Sequence, residues 1–332
     1  MPLVSVLLPY RDAAATITPA IESLLGEDVP FELVVVNDGS RDDGPAQVAA
    51  LAARDPRITH LSTSGIGIPG ALSLALSHAR GALIARMDGD DLSLPGRLSR
   101  SLDLLESDPR LGVVGTQVEA FADGAVGEGM LRYVAWMNGL VTPEAHARDM
   151  FVESPLCHPS VMMRKNALDT VGGYRDPPWA EDYDLWLRFH QHGYRMAKVP
   201  EVFLRWRDRP DRATVRDARY SLARFDEAKA HYLAPVLRSL GRPVAVWGAG
   251  KTGKRMGRAL GREGVVPEVY LDIDPLKVGR LSRGMPVRPP ETLVRGQHTV
   301  VVAVGARGAR EIVRGRLVGW GWVEGEEFIC AA

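Results

Sequence analysis

The chain has 332 residues, 45% of them hydrophobic and 25% charged, and its 41 basic and 41 acidic side chains give a net charge of zero. That length exceeds what one hydrophobic core usually supports and predicts two domains of ordinary globular composition. No apolar run reaches the roughly 18 residues of a membrane span, the opening MPLVSVLLPYRD lacks a basic leader, and the two cysteines, Cys157 and Cys330, fit neither a disulfide framework nor a zinc site, so a cytoplasmic protein is expected.

The charge is unevenly spread. Residues 1–200 carry a net −9 and residues 201–332 a net +9. A basic C-terminal third suits an anionic partner such as a nucleic acid or a phosphorylated sugar. With 35 arginines against 6 lysines, a bias toward arginine codons accounts for the excess equally well.

In chain order, LVSVLLP, ELVVVND, RITHLS and GALIARMD read as short buried strands. Each is followed by a helical stretch: TITPAIESLLG, GPAQVAALAAR, GIPGALSLALSHA and LPGRLSRSLDLLES. This alternation predicts an α/β domain with a mostly parallel sheet, whose ligands lie beyond the carboxyl ends of the strands. After LGVVGTQVEAF come longer mixed segments: a helix over TPEAHARDMFV capped by Thr142, a strand at CHPSVMMR, and a helix over AEDYDLWLRFHQHG ended by Gly193. A helical stretch from about Asp217 to Leu240, broken or kinked at Pro235, reads as a connection. A second α/β unit opens at PVAVWGAGKTGKRMGRALG, with further strands at VVPEVYLDIDP and HTVVVAVG. The expected domains are therefore 1–215, a helical linker 216–241, and 242–332.

Polar clusters fall at the strand ends. In MDGDD, Asp88 and Asp90 are one residue apart and point to one side, an arrangement that suits a hard divalent cation shared with phosphates; a solvated turn with a helix cap is the structural alternative. Asp38 in VVVNDGS could accept from a nucleobase or a ribose hydroxyl, or form a capping turn. Glu181 and Asp182 open a helix whose Leu185, Trp186 and Phe189 face inward, and either carboxylate could act as a general base. In the second unit Gly248, Gly250 and Gly253 form G-x-G-x-x-G after a strand, with Asp272 about 20 residues on, a pattern of dinucleotide phosphate loops. An NAD(P)-dependent oxidoreductase is thus the alternative from another class. A retained scaffold is a further reading of that loop.

The series LVSVLLPYRD, VVVNDGS, GALIARMDGDDLSLPGRL, CHPSVMMRK, VGGYRD and AEDYDLWLRF resembles glycosyltransferase family 2 over roughly residues 1 to 207. The resemblance implies a GT-A fold followed by a smaller Rossmann-like α/β domain. It also implies inverting transfer from a nucleotide-diphosphate sugar, UDP-linked, with Mg²⁺ or Mn²⁺. By position it implies that Pro9 and Tyr10 line the nucleotide, Asp38 meets the base, Asp88 lies near the ribose, and Asp90 holds the metal with Asp91 beside it. It makes Asp182 the base, with Glu181 in reserve. Arg86, or Arg164 and Lys165, would assist the phosphates, and His158 either touches pyrophosphate or acceptor or is simply packed. Asn37 departs from the family's aspartate. The order of parts along the whole chain is similar to the β-1,3-N-acetylglucosaminyltransferase-like proteins, a group associated with adding galactose to queuosine in a tRNA anticodon. The implied sugar is thus galactose, N-acetylglucosamine or similar, and the acceptor a cell-envelope glycan or a tRNA.

Overall fold

A computed structural model describes residues 3–209 and 217–332. The segment VSVLLPY forms β1 (Val4–Tyr10) and FELVVVND forms β2 (Phe31–Asp38), with every residue of both buried. Unbroken burial of this kind belongs to parallel strands covered on both faces. By contrast β3 (Ile58–Thr63) is largely half-exposed and ends the sheet. With β4 (Leu83–Arg86), β5 (Leu92–Ser93), β6 (Leu111–Phe121), β7 (Met162–Arg164) and β8 (Arg195–Arg207) these strands form one eight-stranded sheet, in the order β3-β2-β1-β4-β7-β6-β8-β5. β1 to β4 run parallel, as do β6 and β8, while β7 and β5 run antiparallel to their neighbours. The helices α1 (Ile17–Glu22), α2 (Gly44–Ala52), α3 (Gly67–His78) and α4 (Arg97–Ser107) occupy the stretches expected of them. In α4 the buried residues Leu98, Ser101 and Leu105 share one face.

A buried carboxylate sets the register of β4. Glu32, 3% exposed, accepts from Ser5 Oγ at 2.6 Å and from the Arg80 backbone N and Nε at 2.6 and 2.7 Å. Burial pushes its pKa up, but these donors outweigh burial and hold it below the ordinary glutamate value. Ser5 Oγ also accepts from Gly81 N at 2.8 Å, and a Cβ at position 81 would come within 2.7 Å of Ser5 N. The approach to β4, and with it the placing of residues 87–91, is thereby tied to β1.

Beyond β6 the chain departs from the sequence reading in places. RYVAWMN lies in a helix, α5 (Glu128–Asn138). Thr142 does cap α6 (Pro143–Asp149), accepting from Ala145 N at 3.2 Å. The expected strand CHPSVMMR divides into a 3₁₀ turn at His158–Ser160 and β7, because Pro159 has no N–H for a ladder. After α7 (Lys165–Thr170), α8 (Glu181–Gln191) is followed by Gly193 at φ 76°. The thirteen-residue β8 has no counterpart in the sequence reading, since Lys198, Pro200, Glu201 and Arg205 break its apolar pattern.

The described residues fall into two units: the sheet above, and a second that gathers 148–154, 178–183 and the chain from 217 onward. The expected boundary at 215 lies outside the described residues. The stretch expected as a linker is α9 (Leu222–Ser239), which runs through Pro235 without a break and clusters with the second unit, burying Ala228, Ala230, Leu233 and Leu237. Its Lys229 Nζ donates to the carbonyls of Val152 and Ala331 at 2.6 and 3.1 Å. In this unit β9 (Val244–Trp247), β10 (Val269–Leu271), β11 (Leu281–Ser282), β12 (Met285–Arg288), β13 (Thr299–Val302) and β14 (Phe328–Cys330) form a six-stranded sheet in the order β11-β12-β10-β9-β13-β14. All its pairs are parallel except the β11–β12 hairpin. Its other helices are α10 (Lys251–Arg262) and α11 (Ala309–Gly319). Among the described residues no helix is long and apolar enough to cross a membrane.

The buried pair inside α8 supplies a test of the fold. Arg188, 2% exposed, donates to Asp184 at 2.7 Å and to the Val171 carbonyl at 2.6 Å. Arg188→Ala breaks this buried pair and is expected to destabilise the first unit by about 3–5 kcal/mol, read by urea unfolding.

Candidate active site

The parallel arrangement of β1, β2 and β4 brings the loops after them to one sheet edge, where they are knitted together. Asp12 N donates to Ser40 Oγ at 3.0 Å, Arg41 N to Asp12 Oδ1 at 2.7 Å, and Ala14 N to Asp42 Oδ2 at 2.7 Å. Thr16 Oγ1 donates to the Gly89 carbonyl at 2.8 Å, which fixes the acidic loop to the first. Gly89 itself has no room for a side chain, since a Cβ would lie 3.0 Å from Tyr10 Cβ and 3.1 Å from Ile17 Cδ1.

Asp88, Asp90 and Asp91 converge, each offering an oxygen within 4.8 Å of the others. Arginines surround them. Arg86, 2% exposed, pairs with Asp88, and Arg209 Nε lies 3.0 Å from Asp90 Oδ2. Arg207 donates its backbone N to Asp91 Oδ1 at 2.8 Å and its Nε to the Asp90 carbonyl at 3.0 Å, while its guanidinium sits 4.5 Å from the centre of the Phe121 ring. Burial, then the Asp88 charge, pushes the Asp90 pKa up to about 6 against the pull of Arg209, Arg207 and Arg86. Asp91, 1% exposed, is raised well above the carboxylate range, again by burial first and then by its two acidic neighbours. Its Oδ2 is buried with no hydrogen-bond partner among the described residues. Hard oxygen donors in this number, one of them unsatisfied, fit Mg²⁺ or Mn²⁺.

Arg207 and Arg209 were missed by sequence reasoning, and so was Arg97. The two-residue β5, directly after the acidic loop, pairs with β8 at Leu92↔Arg205 and Ser93↔Leu204, and so delivers the end of β8 to the carboxylates. The visible signal was only the run RWRDR at 205–209. Arg97 is 1% exposed and donates to Ser93 Oγ and to the carbonyls of Arg86 and Pro159 at 2.8, 3.1 and 2.7 Å, bracing the site from behind. Burial lowers its pKa to about 10.

The remaining expected ligand contacts vary in how freely they face a ligand. Pro9 and Tyr10 are buried at the end of β1. Tyr10 OH bonds His60 Nε2 at 3.0 Å, and burial followed by Asp42 pushes its pKa up. Asp38, 6% exposed, accepts from Thr63 Oγ1 at 2.6 Å, Ile66 N at 2.6 Å and Gly67 N at 3.0 Å, so both its oxygens cap α3. The local turn belongs instead to Asn37, whose Oδ1 accepts from Ser40 N at 2.9 Å. His158 is buried edge-on to Trp186 at 5.6 Å, with its Nε2 unpartnered among the described residues and its pKa driven well down by burial and then Arg86. Arg164 donates to the carbonyls of Leu111 and Leu105 at 3.0 and 2.6 Å, and Lys165 pairs with Asp169 at 3.0 Å, so both serve local structure.

Glu181 and Asp182 lie in the second unit's share of α8. Glu181, 4% exposed, accepts from Tyr220 OH at 2.7 Å, while half-buried Asp182 accepts from Tyr183 N at 2.7 Å. Of the aromatic residues flanking the two carboxylates that could offer a stacking face for a sugar, Tyr183 and Trp186 are fully buried and Trp179 is half-buried.

The glycine loop of the second unit is drawn tightly together. Gly248 has φ 128°, and a Cβ on Gly253 would fall 1.7 Å from the Gly248 carbonyl oxygen. Gly250 precedes α10, with open space where its Cβ would be. Asp272 turns back onto this loop: it accepts from Ala249 N at 3.0 Å, Asp274 N at 3.0 Å and Lys277 Nζ at 3.1 Å. Burial raises its pKa, yet these donors prevail and hold it low.

The family model of glycosyl transferase family 2 matches residues 5–172. The chain is 34% identical over 228 residues to the "Putative glycosyltransferase EpsE" of Bacillus subtilis (strain 168), covering 67% of this chain and 78% of that protein. It is 25% identical over 236 residues to the UDP-Gal:alpha-D-GlcNAc-diphosphoundecaprenol beta-1,3-galactosyltransferase of Escherichia coli, covering 70% of this chain and 82% of that one. The mannosyltransferase PcManGT from Pyrobaculum calidifontis, solved in complex with GDP-Man and Mn²⁺, is similar in fold, with a TM-score of 0.51 and 21% identity over 79% of this chain and 69% of that one.

The structural share of Asp38 can be measured apart from any ligand. Asp38→Ala removes the cap of α3, and it is expected to cost about 0.5–2 kcal/mol in a thermal melt without donor.

Proposed function

The chain belongs to glycosyl transferase family 2 and is a transferase, and from that premise we propose that it moves a hexose or N-acetylhexosamine from a UDP-linked donor to a hydroxyl of a cell-envelope glycan intermediate. The observation that carries the reading is the convergence of Asp88, Asp90 and Asp91, with one buried oxygen unsatisfied among the described residues, at the carboxyl edge of a parallel sheet. Asp90 is the residue to hold Mg²⁺ or Mn²⁺, with Asp91 beside it and Asp88 toward the ribose. The bound ion supplies neutralisation of the charge that grows on the departing diphosphate. Arg209, relieved of Asp90, offers its guanidinium fork to the same phosphates, and Arg86 adds charge from behind. Pro9 and Tyr10 form the floor under the nucleotide, and Asp38 keeps the α3 loop in place beside the base.

Asp182 takes the proton of the acceptor hydroxyl while that oxygen bonds the anomeric carbon. The bond from that carbon to the diphosphate oxygen breaks, its electron pair leaves with UDP, and the configuration inverts. Glu181, held by Tyr220, is the reserve base, and His158 is buried neutral near Arg86. The E. coli galactosyltransferase, named for a UDP-Gal donor and a lipid-diphosphate-linked acceptor, supports the envelope reading. A second reading, galactose transfer to queuosine in tRNA, is favoured by the net +9 of residues 201–332.

The test is a panel of nucleotide sugars with Mn²⁺, scored for transfer to lipid-diphosphate-linked N-acetylglucosamine and to total tRNA. Turnover of one UDP-sugar on the lipid-linked acceptor, abolished by a chelator, is expected; transfer to tRNA alone selects the second reading, and no turnover of any donor refutes both. Asp182→Asn is expected to lower kcat by about 10²–10⁴-fold, with donor affinity held within about twofold by calorimetry. Arg209→Ala is expected to tighten Mn²⁺ binding without nucleotide by about tenfold and to weaken UDP binding, because the side chain competes with the ion but assists the phosphates.

A further inference from the structure

We propose that the second unit carries a separate binding site for an organic phosphate, in the cavity between the C-terminal half of α10 and the β11–β12 hairpin, where Arg258, Arg283 and the Tyr270 hydroxyl meet. The cavity measures about 400 Å³, and Arg258, Arg262 and Arg283 line it together with Tyr270, Val266 and Met285, with no carboxylate among its lining residues. Arg262 is already held by Glu227 at 2.6 Å. Arg258 and Arg283 have no acidic partner among the described residues, and both are exposed.

Two local features set this cavity apart. The first is Gly257, a glycine in the interior of α10, where alanine is intrinsically favoured. A Cβ there would lie 2.0 Å from Tyr270 OH, so only glycine lets the phenol of this buried residue reach the cavity wall. Burial raises the Tyr270 pKa, with Arg283 and Arg258 pulling the other way, so the hydroxyl keeps its proton and can donate.

The second is Arg283 itself. It has φ 55° and is followed by Gly284 at φ 84°, forming the two-residue turn between β11 and β12. Such a turn normally takes Asn, Asp or Gly at its first central position. Among the described residues only Asp12 and Arg283 are non-glycine with positive φ, and Asp12 accepts from Arg41 N at 2.7 Å through its own carboxylate. The Arg283 side chain makes no such local bond. An arginine kept in a strained position beside another unpaired arginine marks a place where a guanidinium is needed.

The ligand follows from these groups. Two guanidinium forks and a phenol donor match the oxygens of a phosphate. Val266, 61% exposed, and Met285 offer an apolar wall to the body of the ester. The glycine loop lies at the opposite end of α10, so here the positive charge comes from side chains rather than from helix N–H groups. A soluble phosphate ester and a lipid headgroup share this chemistry.

The experiment uses the full chain with EDTA present, which silences metal-dependent binding at Asp90. Geranyl diphosphate and inorganic diphosphate are titrated by calorimetry, and phosphatidylglycerol vesicles by co-sedimentation, against wild type, Arg258→Ala and Arg283→Gly. Wild type is expected to bind geranyl diphosphate or the vesicles, with affinity reduced tenfold or more in both variants. Geranyl diphosphate binding assigns a soluble ester, and variant-sensitive vesicle binding alone assigns a headgroup. Arg283→Gly is expected to melt at or above the wild-type temperature, because glycine adopts the turn without strain, so its lost binding is not lost folding. Absence of binding by every probe, binding that neither variant weakens, or an Arg283→Gly protein that melts lower overturns the proposal.

Discussion

Three carboxylates within 4.8 Å of one another at the end of β4 are the constraint around which the first unit is arranged. Like charge at that density, partly withdrawn from water, is unfavourable unless positive charge or donors are brought to it. The fold supplies them from a distance. Arg86 comes from β4 itself, and Arg207 and Arg209 come from the far end of the chain segment that β5 clasps. The loop is held from its other side by Thr16 and by the packing of Gly89 against Tyr10. Even the register of β4 is secured, through Glu32, Ser5 and Gly81.

The acidic residues at strand ends differ in what remains free on them. Asp38 and Asp272 occupy comparable places in the two sheets, and in both the oxygens are taken by backbone N–H groups and a side-chain donor. They stabilise the loops in which they sit, the ordinary use of a carboxylate beside exposed amides. Asp91 keeps a buried oxygen with no hydrogen-bond partner among the described residues, and Asp90 is countered by the partly exposed Arg209. This difference in satisfaction, rather than the number of aspartates, separates the carboxylates that keep a free or exchangeable oxygen from those committed to local structure.

Much of the fold was legible because local pattern and tertiary environment agree. VSVLLPY and FELVVVND are apolar throughout and buried throughout, and the strand-end clusters PYRD, NDGS and MDGDD do gather at one edge, as parallel topology requires. What was not legible depends on pairings between distant segments. The strand β8 carries Lys198 into the interior, where its Nζ is bonded to the carbonyls of Met137 and Pro155, a burial that its composition argues against. The roles of Arg164 and Lys165 were likewise undecidable from the sequence, since either cation could have met a phosphate before the structure assigned both to neighbouring groups.

The sequence by itself determined the α/β character of both units, the family, and the clustering of acidic residues at one strand end, because apolar periodicity and motif order are properties of neighbours along the chain. Only the tertiary structure decided which charges neutralise that loop, which carboxylates are already spent on amides, and that a strained Arg283 faces a cavity beside Tyr270. Those outcomes depend on strand register and on burial, and both are set by contacts between residues far apart in sequence.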